Sequence, residues 1–341
     1  MKKPIIILLC SFFLSFSLVA QNKAILIGIS DYRPESGWRS ISAHNDIELL
    51  KASLAPDWNV TTLENEKATH DGIIKLLENI ASQAVPGDTI FIHFSCHGQQ
   101  MIPEVVSDDE PDCLDEALIP YDALKNWTQN YKGHNHIRDN ELAYYINLIR
   151  NSVGENGMVI VTLDACHSDD MHKDDGNPKS MDSTIYRGTS DIFGDPNRIT
   201  DSVIKKRYAR DTSIIAVNSN SDVFYLSACQ AHSQNAEIVS PNGIGYGSLS
   251  YAIAKTMKNG AFNNIPAFLD QVIIEMDSLV PYQTPGIRAS FNYTMPVIQT
   301  KSVIEKTTEK EGAEKPHSNT FLYVIASIAL LTLIIWRIAK K

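Results

Sequence analysis

Gly157 to Ser168 reads GMVIVTLDACHS, and the rest of the chain is interpreted outward from it. From Met158 to Leu163 only Thr162 is not apolar, and three of the residues are β-branched Val or Ile, the pattern of a strand covered on both faces. The apolar run ends at Asp164, Ala165, Cys166 and His167. In an open α/β sheet, ligands sit beyond the carboxyl ends of the strands, so a thiol delivered there is placed to act as a nucleophile. A single Cys at a strand end equally suits the role of a small buried apolar residue, so the motif alone leaves both readings open.

Strand-like and helix-like segments alternate on either side of this stretch. Lys23–Ser30, Asn59–Leu63 and Asp88–Ser95 read as strands; Ala43–Leu54, His70–Ala84 and Arg138–Arg150 carry apolar residues at helical spacing. Further along, Ser213–Asn218 and Val223–Ala228 read as strands, Tyr246–Met257 and Ile265–Leu279 as helices, and Met295–Gln299 as a last strand. Such β-α repetition predicts a mostly parallel central sheet with helices on both faces. Between them, Asp169 to Thr212 is a long polar loop rich in basic residues: Lys173, Lys179, Arg187, Arg198, Lys205, Lys206, Arg207 and Arg210. A loop of that length inside a compact domain is uncommon unless it has a function.

Two predicted strands end in chemically capable residues, Cys166 after one and His97 after another. Neighbouring parallel strands lie about 4.8 Å apart, so side chains just past two adjacent ends can meet. An imidazole beside a thiol takes its proton, stabilises the thiolate and later protonates the leaving amine. The backbone N–H groups of Gly98 and Cys166 are suited to form an oxyanion hole.

The chain has 341 residues, 43% of them hydrophobic, enough for a sizeable core. Its net charge of −10 argues against a nucleic-acid-binding surface and mildly favours a cationic partner. At the N-terminus Lys2 and Lys3 precede an uncharged apolar run from Ile5 to Ala20, the layout of a signal peptide at 1–20. An uncleaved anchor is the alternative. Near the other end a charged linker (300–319) leads to an apolar segment (320–338) with Tyr323 and Trp336 at its borders and a basic tail at 339–341. That segment predicts a membrane-spanning helix with the tail on the cytoplasmic side and everything before it facing outward. Removing Cys10 with the signal leaves Cys96, Cys113, Cys166 and Cys229, too few for a disulfide scaffold in an exported chain of this size.

SCHGQQ at Ser95 to Gln100, followed by LDACHS at Leu163 to Ser168, resembles the caspase-like cysteine peptidases of the metacaspase and bacterial branch. AHNDIELL at Ala43 to Leu50, DDEPDCLDEALIPYD at Asp108 to Asp122, and YLSACQ at Tyr225 to Gln230 with GYGSLSYAI at Gly245 to Ile253 extend the resemblance over about residues 23 to 300. The resemblance implies a three-layer αβα sandwich with a large part at 21–168, a loop at 169–212 and a small part at 213–299. It makes Cys166 the nucleophile and His97 the base of an endopeptidase. It also implies an acidic pocket for an Arg or Lys side chain on the N-terminal side of the cut bond (P1), built from Asp46 and Asp164 with Glu237 as a third candidate. Guanidinium–carboxylate pairing suits that role, and Asp164 lies two residues before Cys166 on the same strand face. Without the resemblance, Asp46 reads as a helix N-terminal carboxylate.

The resemblance further implies self-cleavage in the 169–212 loop, no cofactor for the chemistry, and calcium as an activator. Asp115, Asp139 and Asn140, with Asp174 or Asp175, match the metal positions, although Asn140 stands where a carboxylate is expected. The competing readings are a catalytically silent binding or signalling module of the same fold and a legumain-like peptidase cutting after Asn or Asp. The signal, the short tail and the absence of eukaryotic appendages place the expected peptidase on the outer side of a bacterial envelope.

Overall fold

The computed structural model describes residues 19–102, 114–166, 185–199, 221–230, 234–257, 262, 264–291, 293–294 and 296. Contacts divide the chain into a unit spanning residues 1–298, which contains all of these, and a second of residues 299–341. The expected signal peptide (residues 1–18 of it), the 213–218 strand, the charged linker and the apolar C-terminal segment lie outside the described residues, as does most of 295–299. Among the described residues no helix is long and apolar enough to cross a membrane.

In chain order the elements are β1 (Asn22–Gly28), α1 (Ala43–Ser53), β2 (Trp58–Glu64), α2 (His70–Gln83), β3 (Thr89–Ser95), β4 (Gly98–Met101), β5 (Asp115–Leu118), β6 (Ile137–Arg138), α3 (Asp139–Val153) and β7 (Met158–Asp164). The second half supplies β8 (Asp222–Ser227), β9 (Glu237–Val239), β10 (Gly245–Gly247), α4 (Ser248–Met257), α5 (Ile265–Leu279) and β11 (Gly286–Ala289). Six strands form the main sheet in the order β11-β8-β7-β3-β1-β2. All neighbours are parallel except β11, which runs antiparallel to β8 at the edge.

The period-2 alternation of the central strands explains why both faces are covered. Ile90, Ile92 and Phe94 of β3, with Val159 and Val161 of β7, pack with α2 and α3 through Ile73, Leu77, Ile146 and Ile149. Phe91 and Ile160 point the other way, toward Ile47 and Leu50 of α1, Leu249 and Ile253 of α4, and Phe268 and Val272 of α5. Each such fully buried side chain contributes on the order of 1.5–3 kcal/mol of transfer free energy. Local signals agree with this packing: Thr69 caps α2 by accepting from Gly72 N, and Asn264 caps α5 by accepting from Ala267 N.

Several boundaries depart from the sequence reading. Tyr246 belongs to the β9–β10 hairpin rather than to α4, and Arg138 pairs in β6 before α3 begins. The strip β4-β5-β6 forms a separate antiparallel sheet beside the C-terminal ends of the main strands. These strands are only two to four residues long, too short for a periodic signal to reveal.

The register puts Ser95 opposite Asp164 at the adjacent ends of β3 and β7. His97 and Cys166 each follow two residues later, so the sheet carries both to one edge.

Candidate functional site

On the α1/α4 side of the sheet, polar residues replace apolar ones toward the ends of β3 and β7. His93 and Ser95 continue the Phe91 face, while Thr162 and Asp164 continue the Ile160 face, and all four are fully buried. Thr162 Oγ1 lies 2.7 Å from His93 Nδ1, and His93 Nε2 lies 3.1 Å from Ser250 Oγ. Ser250 in turn donates to Asp164 through its hydroxyl at 2.5 Å and its backbone N–H at 2.7 Å, and Asn235 Nδ2 donates to the other carboxylate oxygen at 2.7 Å. His93 thus anchors, through Ser250, a network that fixes Asp164.

Asp46 lies beside this network in the first turn of α1, as a helix N-terminal carboxylate, and is completely buried. Its carboxylate accepts from Ser95 Oγ at 2.7 Å and from the backbone N–H of Gly247 at 2.9 Å. Glu237, at the start of β9, accepts from the Ser42 N–H at 2.6 Å and the Ser42 hydroxyl at 2.9 Å. Asp46, Asp164 and Glu237 therefore line one pocket. Gly247 closes it, since a Cβ there would lie inside van der Waals distance of Asp164 and 2.6 Å from the carbon of the guanidinium described next.

That guanidinium belongs to Arg187 of the chain's own 169–212 loop, and it is fully buried. Arg187 Nη1 is 2.7 Å from Asp46 and 3.6 Å from Asp164, and Nη2 is 2.8 Å from Glu237. Nη1 also donates to Ser95 Oγ at 2.8 Å. One cation shared by three carboxylates is held firmly charged, because the acids outweigh the burial that opposes its charge. Burial also pushes both aspartates upward, but the charge of Arg187 and the donors Asn235 and Ser250 bring Asp164 below the usual carboxylate range. Asp46 remains raised, to about 6.

The backbone around Arg187 is seated as carefully as its side chain. Its N–H donates to the Asn235 carbonyl at 3.0 Å and Glu237 N–H donates to the Ile185 carbonyl at 2.8 Å, so Ile185 to Arg187 runs as an extended strand against 235–237. Arg39 Nη2 fixes the Tyr186 carbonyl at 2.8 Å. The Arg187 carbonyl oxygen accepts from Cys166 N–H at 2.9 Å and Gly98 N–H at 3.3 Å, the two donors that the sequence singled out.

His97 is buried in an aromatic box: Trp38 stacks on the imidazole with centroids 4.9 Å apart, and Tyr32 lies 5.3 Å away. Tyr32 Oη accepts from His97 N–H at 3.0 Å and donates to the Ile119 carbonyl at 3.1 Å. His97 Nε2 donates to the Arg39 carbonyl at 2.9 Å, which leaves Nδ1 as the basic nitrogen, and Nδ1 is buried with no hydrogen-bond partner among the described residues. Burial lowers His97 to about 3, helped by the positive charges of Arg39, Arg187 and Lys125. The Cys229 thiol hydrogen-bonds to Cys166, and that contact together with burial raises Cys229 well above its ordinary value. Neither Cys96 nor Cys229 is in a disulfide among the described residues; Cys113 lies outside them.

Among the described residues, Asp115, Asp139 and Asn140 are not gathered with further acidic side chains into a metal site. Asp115 is buried and ion-paired with Arg138, which places a cation where a calcium ion would need negative charge. Asp139 opens α3 and accepts from the Asn140 N–H at 2.9 Å. Among the described residues no group of three or more His, Cys, Asp or Glu side chains is arranged to hold a metal. Asp174 and Asp175 lie outside them.

Sequence reasoning missed Tyr32, Trp38, Arg39, Ser95 and Asn235. It had Arg187 only as one of eight basic residues in a loop. An arginine followed directly by glycine was the one available hint.

Comparison with known proteins now fits this geometry. The family model for the caspase domain, Peptidase C14, matches residues 21–306. The chain belongs to the caspase domain family. Metacaspase-1 of Eremothecium gossypii is 24% identical over 272 residues, covering 69% of this chain and 57% of that protein. Metacaspase-1 of Schizosaccharomyces pombe is 23% identical over 279 residues, covering 70% and 60%. The caspase-domain chain thus spans a little over half the length of the curated relatives it matches. Among solved structures, protein GSU0716 from Geobacter sulfurreducens superimposes with a TM-score of 0.52 at 20% identity, covering 80% of this chain and 95% of that one, a likeness of fold.

Proposed function

We propose that this caspase-domain chain is a cysteine endopeptidase that cuts polypeptides after Arg or Lys, with Cys166 as nucleophile and His97 as general base. One observation carries the reading: the residue whose guanidinium sits among Asp46, Asp164 and Glu237 has its carbonyl oxygen on the N–H groups of Gly98 and Cys166. A basic P1 side chain and the carbonyl to be attacked are thus recognised together, the arrangement that transition-state stabilisation requires.

The chemistry follows from these positions. His97 Nδ1 takes the Cys166 thiol proton, with Nε2 anchored on the Arg39 carbonyl fixing the tautomer. The thiolate adds to the P1 carbonyl carbon, and the two N–H groups hold the oxyanion. The imidazolium then protonates the leaving amine as the C–N bond breaks, giving a thioester that water hydrolyses. No cofactor enters this sequence. Calcium belongs to the reading only as an activator to be assayed, since Asp115 is engaged by Arg138.

The reading includes self-cleavage within the 169–212 loop and attachment to the outer side of a bacterial envelope through the apolar C-terminal segment. Three carboxylates in the pocket count against an acidic P1 residue, and the intact Cys166, His97 and oxyanion donors count against a silent module. The test is hydrolysis of Arg, Lys, Asp and Asn fluorogenic peptides by the full chain in detergent, with and without calcium, beside Cys166→Ala. Arg and Lys cleavage that vanishes in the variant is the expected result. Cleavage after Asp overturns the pocket assignment, and no hydrolysis of any peptide overturns the enzyme.

A further inference from the structure

We propose that Cys166 and Cys229 are a redox-active pair: a hydroperoxide oxidises the nucleophile, Cys229 resolves it as a disulfide, and reduction restores the peptidase. This rests on Cys166 being the nucleophile and names a control of that same site.

The two cysteines follow neighbouring parallel strands. β7 and β8 pair in register from Met158 opposite Asp222 to Leu163 opposite Ser227. The ladder continues past those ends, since Ala228 N–H donates to the Leu163 carbonyl at 2.9 Å. Its next step sets Cys229 beside Ala165, and Cys229 Sγ lies 3.9 Å from the Ala165 carbonyl oxygen. Cys166 is then the diagonal neighbour of Cys229. Strands about 4.8 Å apart that rise about 3.3 Å per residue put diagonal Cα atoms about 6 Å from each other, inside the range of about 4.4–6.8 Å that a disulfide bridges. The hydrogen bond between the two thiols shows that their side chains turn toward one another.

The backbone around Cys229 is fixed. Gln283 Nε2 donates to the Ala228 carbonyl at 2.8 Å, Ser227 Oγ to the Cys229 carbonyl at 2.9 Å, and Gln230 N–H to the Thr284 carbonyl at 3.0 Å. Rotation about the Cα–Cβ bonds therefore closes the bridge without moving a strand. Burial and the contact with Cys166 keep Cys229 protonated, so the thiolate forms at Cys166, where His97 is the base. That order makes Cys166 the sulfur attacked by peroxide and Cys229 the one that follows. Cys96 does not compete: it belongs to the core cluster on the α2/α3 side of the sheet, and burial pushes it up to about 12. Hydrogen peroxide is hardly larger than water, and Cys229 keeps 6% of its surface exposed.

The step balances. The Cys166 thiolate, formed as His97 takes its proton, attacks one oxygen of hydrogen peroxide. The O–O bond breaks, leaving a sulfenic acid on Cys166 and a hydroxide that takes the proton from His97 and leaves as water. The Cys229 sulfur then bonds to the Cys166 sulfur, the S–O bond breaks, and the departing hydroxide carries off the Cys229 proton as a second water. Two thiols are oxidised and one peroxide is reduced. A dithiol reductant reverses the bridge by thiol–disulfide exchange. While bridged, Cys166 has no thiolate and hydrolysis stops, and the sulfur is kept from the irreversible sulfinic and sulfonic acids.

The experiment treats purified full chain in detergent with rising hydrogen peroxide, blocks remaining thiols with N-ethylmaleimide and digests without reductant for peptide mass spectrometry. Cys229→Ala and Cys229→Ser are treated alongside, and hydrolysis of an Arg fluorogenic peptide is measured before and after dithiothreitol, each chain scaled to its own untreated rate. In wild type the peptide holding Cys166 is expected joined to the one holding Cys229, with activity lost in proportion to the bridge and regained in dithiothreitol. Both variants should lose activity that dithiothreitol does not return, with Cys166 carrying two or more added oxygens. Cys166 joined to Cys96, Cys113 or Cys10, irreversible loss in wild type without a bridge, or full recovery of the variants overturns the pair while leaving the peptidase reading standing. The wild-type bridge is read by mass alone, so the test holds even if both variants misfold. Absence of hydrolysis before any peroxide is added overturns the peptidase reading, and this inference with it.

Discussion

At the scale of single residues, Asp164 and Gly247 decide what the pocket accepts. Asp164 is held ionised by Asn235 and Ser250, so its charge is available to a bound guanidinium. Asp164→Asn removes a buried charge worth about 3 kcal/mol to its partner, so kcat/KM on an Arg peptide should fall about 100-fold. Measuring the same variant on a citrulline peptide, which lacks the charge, should show a much smaller loss and so separates pocket electrostatics from damage to the fold. Gly247→Ala places a methyl group inside van der Waals distance of Asp164 and in the space of the guanidinium. It should abolish Arg and Lys cleavage while the far-UV circular dichroism stays that of wild type.

At the scale of elements, β3 and β7 both form the core and present the site. Their residues alternate between the two helical layers until the last positions, where the inward face changes from Phe91 and Ile160 to His93, Ser95, Thr162 and Asp164. Packing therefore positions chemistry. Phe91 is fully buried between Trp58 and Phe262, with centroids 6.4 and 5.5 Å away. Phe91→Ala should cost about 3–5 kcal/mol through lost contact and the cavity left behind, lowering the Tm of the Cys166→Ala background by about 10 °C in a calorimetric scan. These long strands were legible in the sequence because period-2 burial leaves a strong pattern. The short strands β4, β6 and β10 were not, because two to four residues carry no period.

At the scale of the whole molecule, folding buries three histidines among the described residues in uncharged form: His93 at about 4, His97 at about 3 and His136 at about 3, each lowered first by burial. Below about pH 6.5 the unfolded chain takes up protons at these positions that the folded chain refuses, so their contribution to stability is full above that value and lost as pH falls. Asp46, raised to about 6, acts oppositely from there down to its unfolded value of 3.8 and offsets one of the three. The net loss should be about 3 kcal/mol per pH unit near pH 5, read from urea midpoints of Cys166→Ala between pH 7 and 4.5. The periodicity of the sequence indicated a mostly parallel sheet with helices on both faces and strand ends at His97 and Cys166, because local pattern fixes local structure, while the acidic pocket residues came only from the family resemblance that its short motifs carry. Only the tertiary structure decided what fills that pocket. Arg187 meets Ser95 across 92 positions of chain and Glu237 across 50, and eight basic loop residues look alike until folding selects the one followed by a glycine that can pass Cys166.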